Sequence, residues 1–311
     1  MPIRKQLAES LKKKIRTPEF WIHGSIYCLL GLALWPITTW FAITAHAQSR
    51  VLHALIVLVL ATLALIRFGN FHLTDTLSLN DSSRRTLVAA YAFLFIGFIL
   101  RLFATQAGNQ YPYLASGLSL LQIPAYCLTI ASFAFFVFGN QVRRIVLTVG
   151  ITFCIFMLLS ILMQPLDWPL RGLAGKWSQN LLVLLGQETA INLVRGEDNI
   201  PLLILMVNGH PFHVASECNG FGVILTCILI SVMLGLYRRL NVFNIAINIV
   251  AGMMMGFLFN TLRIVIIILL APHMMEHYML MHEVIGGITY WGCLISTWLL
   301  LNGPVRQELQ H

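Results

Sequence analysis

Charge is scarce in this 311-residue sequence: 10% of the residues are Asp, Glu, Lys or Arg, whereas 58% are hydrophobic. A water-soluble domain of this length carries far more charge on its surface, so the composition excludes that class. The apolar residues fall in repeated runs near the twenty residues that a helix needs to cross the hydrocarbon of a bilayer. We therefore predict an all-α, polytopic membrane protein.

The sequence also has no internal repeat, no low-complexity tract and no Gly/Ser-rich linker, which indicates one functional unit. Cysteine spacing typical of a disulfide or zinc framework is missing as well. Five of the six cysteines lie inside predicted spans, where Cys behaves as a small hydrophobic residue. Only Cys218 stands at a span boundary.

Apolar runs bounded by charged or turn residues predict about eight transmembrane helices. Three regions follow from their spacing: about five spans in 1–163, an extracytoplasmic insertion over 164–217, and about three spans in 218–311. The predicted spans cover residues 21–45, 51–68, 86–104, 114–138, 145–163, 219–237, 243–271 and 283–301.

Positive charge is concentrated in the N-terminal tail and in alternate short loops, which sets the orientation because cytoplasmic loops retain Lys and Arg. Both termini are therefore predicted to be cytoplasmic. This topology, with binding to anionic membrane lipids, explains the sequence pI of about 9.4 without a nucleic-acid partner. The first span is too long for a signal peptide and is predicted to stay as an anchor. The loop arginines are Arg84, Arg85, Arg143, Arg144, Arg238 and Arg239.

The insertion over 164–217 changes its pattern along its length. Trp177 to Val194 mixes apolar and polar residues at helical spacing, which predicts an amphipathic helix on the membrane surface. Leu202 to Val207 and His210 to Ala215 then read as two short strands. The Asn208-Gly209 pair between them favours a type I′ turn, so we predict a β-hairpin that leads the chain to Cys218.

Cys218 lies in the sequence Glu217-Cys218-Asn219-Gly220, at the predicted outer mouth of span six. The nucleophilic form of cysteine is the thiolate; a thiol has a solution pKa of about 8.5, which a helix N-terminus or a nearby cation lowers. Asn219 and Gly220 would offer backbone N–H donors beside it. An isolated boundary cysteine is more often a tolerated small residue, so the hypothesis of thiol chemistry depends on its companions.

Arg263 is one companion, because it lies within span seven, in Asn260-Thr261-Leu262-Arg263-Ile264, with apolar residues on both sides of it. A charge inside the membrane costs at least about 2.5 kcal/mol, so such a residue is a functional candidate, although the long side chain could also reach the headgroups. His282, next to Glu283 at the start of span eight, can exchange a proton near neutrality. Taken alone, an interfacial histidine is more often a solvated ring.

The order Glu-Cys-Asn-Gly, then Asn-x-x-Arg, then His at the head of the last span resembles the exosortase and archaeosortase family, over roughly residues 200–302. The resemblance implies a cysteine protease or transpeptidase of the cytoplasmic (inner) membrane, without a cofactor. Its implied partners are secreted proteins with a C-terminal, PEP-CTERM-like sorting signal, some associated with exopolysaccharide.

Carried over by motif, the resemblance makes Cys218 the nucleophile, Arg263 the stabiliser of the oxyanion or substrate, and His282 the general acid. The chain departs from many members of the family at Asn219, where they have Ser. The supporting residues implied around this trio are Glu217, Asn219, Gly220, Asn260 and Glu283.

A metalloprotease is the enzymatic alternative. Residues 273–277 read His-Met-Met-Glu-His, which fits the H-x-x-E-H zinc pattern if both histidines share a helix face. Such a site needs a third ligand, and the downstream acidic residues are poorly placed. We predict instead that 272–281 is an interfacial segment. A second conceivable metal cluster combines His210, His213 and Cys218, again without a complete tetrahedral set.

A transporter or glycan-export component is the non-enzymatic alternative. Buried ionisable residues would line its pathway, but no Asp or Glu falls at mid-depth in any predicted span. The missing internal repeat also disfavours a transporter built from inverted repeats. Thiol acyl-transfer chemistry is therefore the leading hypothesis.

Overall fold

The computed structural model describes residues 15–47, 55–63, 80–106, 120–162, 166–195, 201–214 and 220–302, with the single positions 9, 12 and 13. These residues are predominantly helical and include one small sheet, which confirms the prediction of a helical membrane protein. The chain divides into two compact units, Met1–Leu158 and Leu159–His311.

Helices α1 to α5 begin in the first unit and are held partly by buried hydroxyl groups. The Tyr27 Oη atom lies 2.9 Å from Ser83 Oγ and 2.8 Å from Ser132 Oγ, so one cluster joins α1, α3 and α4. Between apolar helices such bonds satisfy hydroxyls that have no water. The bounds are α1 (Pro18–Ala33), α2 (Trp35–Ala47), α3 (Asp81–Gln106), α4 (Gln122–Phe138) and α5 (Arg143–Leu162), with a 3-10 turn at Asn140–Val142.

The predicted first span, 21–45, is not one straight helix. Helices α1 and α2 meet at an angle of 56° around Leu34. Pro36 accounts for the bend, because proline has no N–H to donate and its ring clashes with the carbonyl four residues earlier. The run of apolar residues predicted one continuous helix, and Pro36 is the residue in it that indicates the break.

The predicted count of eight spans is not confirmed for the part of the chain that the structure describes. Four helices there are long and apolar enough to cross a membrane, or five if the bent pair α1 and α2 is one span. Two predicted spans, 114–138 and 219–237, contain shorter helices of 17 residues. Of the predicted span 51–68 only 55–63 is described, and it is helical.

The second unit combines a three-stranded sheet with helices that carry most of the predicted site. Its elements are α6 (Asp167–Leu184), β1 (Thr189–Arg195), β2 (Pro201–Val207), β3 (His210–His213), α7 (Phe221–Tyr237), α8 (Val242–Leu270) and α9 (Tyr278–Asn302). Two 3-10 turns, Ala271–His273 and Met275–His277, link α8 to α9.

The predicted amphipathic helix, Trp177 to Val194, is wrong in its second half. Helix α6 starts earlier, at Asp167, and ends at Leu184. Gly186 ends it with a φ of 78°, and the Gln187 N–H donates back to the Leu182 carbonyl, a bonding pattern typical of a glycine-terminated helix. The residues after Gly186 alternate in character and include β-branched side chains, so they form β1 instead.

The sheet has the order β1-β2-β3, and both pairs of strands are antiparallel. Asn208 and Gly209 join β2 to β3 with φ values of 49° and 81°, the left-handed conformation that a type I′ turn needs at both central positions. Strand β1 is a third strand beyond the predicted hairpin, formed by residues for which the sequence had suggested a helix.

One face of the sheet packs against α6 and α8. Leu203, Leu205 and Val207 of β2 are buried there against residues of both helices. This core attaches the sheet to the C-terminal half of α8, which carries Arg263. The helical residues in the cluster are Ala174 and Leu182 of α6 and Ile264, Val265 and Ile268 of α8.

Helices α7, α8 and α9 pack closely through small residues and paired polar groups. A Cβ atom built on Gly256 of α8 would lie 2.9 Å from the Ile224 Cα atom of α7, so the two backbones touch at this point. Between α7 and α9, the Cys227 and Cys293 sulfur atoms lie 3.4 Å apart. The Thr226 and Tyr290 hydroxyl oxygens are separated by 3.2 Å.

We expect Gly256→Ala to destabilise the protein by about 1–3 kcal/mol relative to Gly287→Ala, because a new methyl group at 256 meets the backbone of α7. A Cβ at Gly287 meets nothing within 4 Å, so that variant isolates the gain in helix propensity. Thermal unfolding of the purified protein in detergent, followed by tryptophan fluorescence, measures both. Equal shifts in the two variants would contradict the close contact.

Candidate active site

Arg263 and His282 lie side by side on consecutive helices. The Arg263 Nη2 atom of α8 is 3.4 Å from the His282 Nε2 atom of α9. Both residues are half-buried. Guanidinium groups only donate hydrogen bonds, so the imidazole Nε2 is the acceptor in this contact and the ring carries its proton on Nδ1. Two of the three residues predicted for catalysis are therefore in contact.

Gly286 makes room for this pair. It follows His282 by one turn of α9, and a Cβ atom built on it would lie 3.2–3.3 Å from three atoms of the Arg263 guanidinium. The guanidinium thus lies against bare backbone where any other residue would crowd it. The sequence had suggested that Gly286 and Gly287 admit a close neighbour; at Gly286 that neighbour is the Arg263 side chain.

The N-terminus of α7 approaches the same part of α8. Gly220 is the N-cap residue of α7 and has a φ of 73°, which L side chains rarely adopt. A Cβ atom on Gly220 would lie 2.7 Å from the Asn260 side-chain amide. Asn260 is 1% exposed and precedes Arg263 by three residues, so both side chains share one face of α8.

Three of the predicted site residues, Glu217, Cys218 and Asn219, lie outside the described residues. The described part of the site is therefore Gly220, Asn260, Arg263, His282 and Gly286. Glu283, predicted as a supporting residue, is exposed on α9.

Tyr278 is a neighbour of the site that the sequence analysis missed. Its ring centroid lies 6.2 Å from that of His282, with an angle of 35° between the ring planes. Tyr278 precedes His282 by four residues, and side chains at that spacing meet on a helix surface. The spacing was available as a signal, but it required knowing that α9 starts at Tyr278 rather than near 283.

The zinc pattern at 273–277 does not have the geometry that it would need. His273 and His277 fall in two separate 3-10 turns, divided by Met274, whose φ of −134° and ψ of 31° are not helical, so they do not share an α-helix face. Both side chains are exposed. Among the described residues, no three His, Cys, Asp or Glu side chains come together in a way that could hold a metal ion.

His210 and His213, weighed as ligands with Cys218, occupy the two ends of β3. Side chains alternate between the faces of a strand, so residues three positions apart point to opposite faces. The two imidazoles therefore do not converge, and the expectation of a shared metal cluster on this strand is not supported by its geometry.

The fold is that of a multi-pass helical membrane protein. Its polar site, which contains Arg263 and His282, lies between α8 and α9. Comparison with known families gives a match to the family described as Transmembrane exosortase (Exosortase_EpsH), over residues 52–299. The match covers most of the chain, and the chain belongs to the transmembrane exosortase family. It also extends the likeness well into the first half, beyond the region 200–302 that carried the resemblance. No curated protein and no solved structure matches the chain.

We expect Gly220→Ala to lower the stability of the protein more than Gly186→Ala does. Both glycines have a positive φ, of 73° and 78°, so both variants incur the same backbone strain of about 1–2 kcal/mol. Only at Gly220 does the added methyl group also meet a neighbour, the Asn260 amide. Thermal unfolding in detergent compares the two variants directly. A Gly220→Ala protein as stable as Gly186→Ala would mean that α7 does not contact Asn260.

Proposed function

We propose that this protein is a membrane-embedded cysteine protease or transpeptidase that cleaves the C-terminal sorting signal of secreted proteins. The observation that carries the proposal is the contact between Arg263 and His282, at 3.4 Å, inside a member of the transmembrane exosortase family. A guanidinium and an imidazole together supply the charge stabilisation and the proton transfer that acyl transfer to a thiol requires.

Chain connectivity supports Cys218 as the nucleophile of this pair. Cys218 precedes Gly220 by two residues, and a chain spans at most about 3.6 Å per residue. Covalent geometry therefore keeps the Cys218 Cα within about 7 Å of the Gly220 Cα. Gly220 in turn lies against Asn260, one helical turn before Arg263.

In the proposed mechanism the Cys218 sulfur attacks the carbonyl carbon of the scissile peptide bond. His282 accepts the thiol proton on Nε2, whose lone pair becomes free when the Arg263 guanidinium turns from the imidazole to the carbonyl oxygen. Negative charge develops on the carbonyl oxygen as the C–S bond forms, and Arg263 stabilises that charge.

The second half of the mechanism releases the substrate in two steps. The C–N bond breaks, and His282 returns its proton to the departing amine, which leaves a thioester on Cys218. Water then releases the new C-terminus as proteolysis, or an amine releases it as transpeptidation. His282 thus carries one proton from the thiol to the leaving group.

The orientation that we propose follows from the basic loops. From the arginines in alternate loops we infer that both termini lie in the cytoplasm and that the ends of α8 and α9 that bear Arg263 and His282 lie on the extracytoplasmic side of the inner membrane. The proposed partners are secreted proteins with a PEP-CTERM-like C-terminal signal, which reach the site from that side, together with the surrounding membrane lipids.

We expect Cys218→Ala to abolish trimming of a co-expressed substrate that carries such a signal. Arg263→Ala should slow trimming by about 100- to 1000-fold, the usual effect of removing one oxyanion donor. His282→Ala should slow it by about 100- to 10 000-fold, the usual contribution of an acid–base group. The intact mass of the secreted substrate, measured by mass spectrometry over time, reads all three.

Matched substitutions of the same residue types serve as controls. Cys28→Ala removes an exposed cysteine of α1, and Arg239→Ala removes an exposed arginine at the other end of α7; both should trim as wild type. His273→Gln and His277→Gln test the metalloprotease alternative, which requires both imidazoles. Wild-type trimming by Cys218→Ala would contradict the proposal, and loss of trimming in His273→Gln and His277→Gln would favour the metal alternative.

A further inference from the structure

We propose that the outer edge of strand β3 binds the extended substrate segment next to the scissile bond, as an added β-strand. This inference rests on the proposed function, because it names the binding site for the peptide that the enzyme cleaves. It assigns a role to His210–His213, residues that the proposed mechanism does not use.

Strand β3 lies beside the candidate active site. Phe212, the only half-buried residue of the strand, packs against a buried cluster of Ile267, Ala271 and Met281. Met281 immediately precedes His282, and Ile267 follows Arg263 by one turn of α8. The strand is thus anchored through one side chain to both helices that carry the cation and the imidazole.

The hydrogen bonds of the sheet show which backbone groups of β3 face outward. The Val214 N–H donates to the Leu203 carbonyl at 2.9 Å, and Leu205 pairs with Phe212 two residues along. In an antiparallel pair, residues alternate between bonding to the partner strand and pointing away from it. Phe212 and His210 therefore bond to β2, whereas Pro211 and His213 direct their backbone groups to the outer edge.

Pro211 limits how a peptide can pair with this edge. Proline has no N–H, so at position 211 the edge offers only a carbonyl, while His213 offers both an N–H and a carbonyl. An antiparallel peptide can exchange two hydrogen bonds with His213 and no other outward residue of β3. The edge thus favours one register, which an enzyme that cuts at one fixed position needs.

The edge is accessible as well as unpaired within the described sheet. His210, Pro211 and His213 are exposed, and the sheet order places β3 at one side with β2 as its sole strand partner among the described strands. Addition of a strand to a sheet edge is a common mode of peptide recognition, in which backbone bonds supply affinity. Cys218 follows Val214 by four positions, so chain connectivity keeps its Cα within about 14 Å of the Val214 Cα at the end of this strand.

The opposite edge of the same sheet supplies a matched control. Ile204 of β2 faces Asn192 of β1, and by the same alternation Leu193 directs its N–H away from β2. Leu193→Pro and His213→Pro therefore each remove one outward N–H from one edge of one sheet. Neither change breaks a bond between the strands, since proline is tolerated at such edge positions.

We expect His213→Pro to lower kcat/KM for substrate trimming about fivefold, mainly through KM, because it deletes one backbone hydrogen bond to the peptide. Leu193→Pro should keep the wild-type value. His213→Ala, which retains the backbone N–H and loses the imidazole, should lower kcat/KM less than His213→Pro does. Trimming by each purified variant over a range of substrate concentrations, read by mass spectrometry, separates KM from kcat. Equal kinetics for the two proline variants would overturn the inference.

Crosslinking tests binding separately from cleavage. In the Cys218→Ala protein treated with a mild thiol oxidant, His213→Cys should form disulfides with single cysteines placed along the substrate near the cleavage site, with yields that peak at every second position. That period follows from the alternation of side chains along a strand. Leu193→Cys should give none.

The crosslinking and trimming experiments distinguish failure of substrate binding at β3 from failure of the proposed enzyme activity. Uniform or absent crosslinks at His213→Cys, or crosslinks only between two copies of this chain, would overturn substrate binding at β3 while leaving the role of Cys218 intact. Wild-type trimming by Cys218→Ala would instead overturn the proposed enzyme, whatever the crosslinks show.

Discussion

A guanidinium in a largely apolar helix has to meet an acceptor, because hydrocarbon offers no water to replace one. Arg263 meets the imidazole of His282, and that contact fixes the distance between α8 and α9 at this depth. The absence of a side chain at Gly286 leaves room for the Arg263 guanidinium against the backbone of α9. The sheet and α6 pack against the part of α8 that follows Arg263, and the start of α7 lies against Asn260, one turn before it.

Glycines also allow close contacts elsewhere in the second unit. Gly220 lets the start of α7 lie against the Asn260 amide, and Gly256 lets the middle of α8 touch α7. Polar side chains between α7 and α9, including Cys227 and Cys293, face each other rather than lipid. Three helices are therefore held by contacts that each depend on a small residue or a matched polar group, since apolar surface alone gives little preference between lipid and protein.

Local sequence patterns predicted some of the helices correctly, but they did not predict the contacts between helices. The apolar run at 243–271 predicted α8 within one residue at each end, because an apolar stretch of that length is typical only of a helix that crosses a membrane. The helix predicted over Trp177–Val194 failed because apolar and polar residues alternate ambiguously there, and Gly186 ends the helix. The proximity of Asn260 to Gly220 depends on two helices meeting, which no local pattern encodes. Arg263 was predicted from its charge inside an apolar span and His282 from the resemblance to the exosortase family, but their contact is a tertiary property.

The connection between α8 and α9 has a consequence for how this protein can vary. Residues 272–280 are all exposed, whereas Ala271 and Met281 at the two ends are buried. Apart from Tyr278, which lies beside His282, exchanging side chains in that link should disturb little, but inserting one residue at the start of α9 would rotate everything after it by about 100°. His282 would then turn away from the guanidinium. The length of this stretch is therefore a stricter constraint on the site than the identities of its exposed residues other than Tyr278.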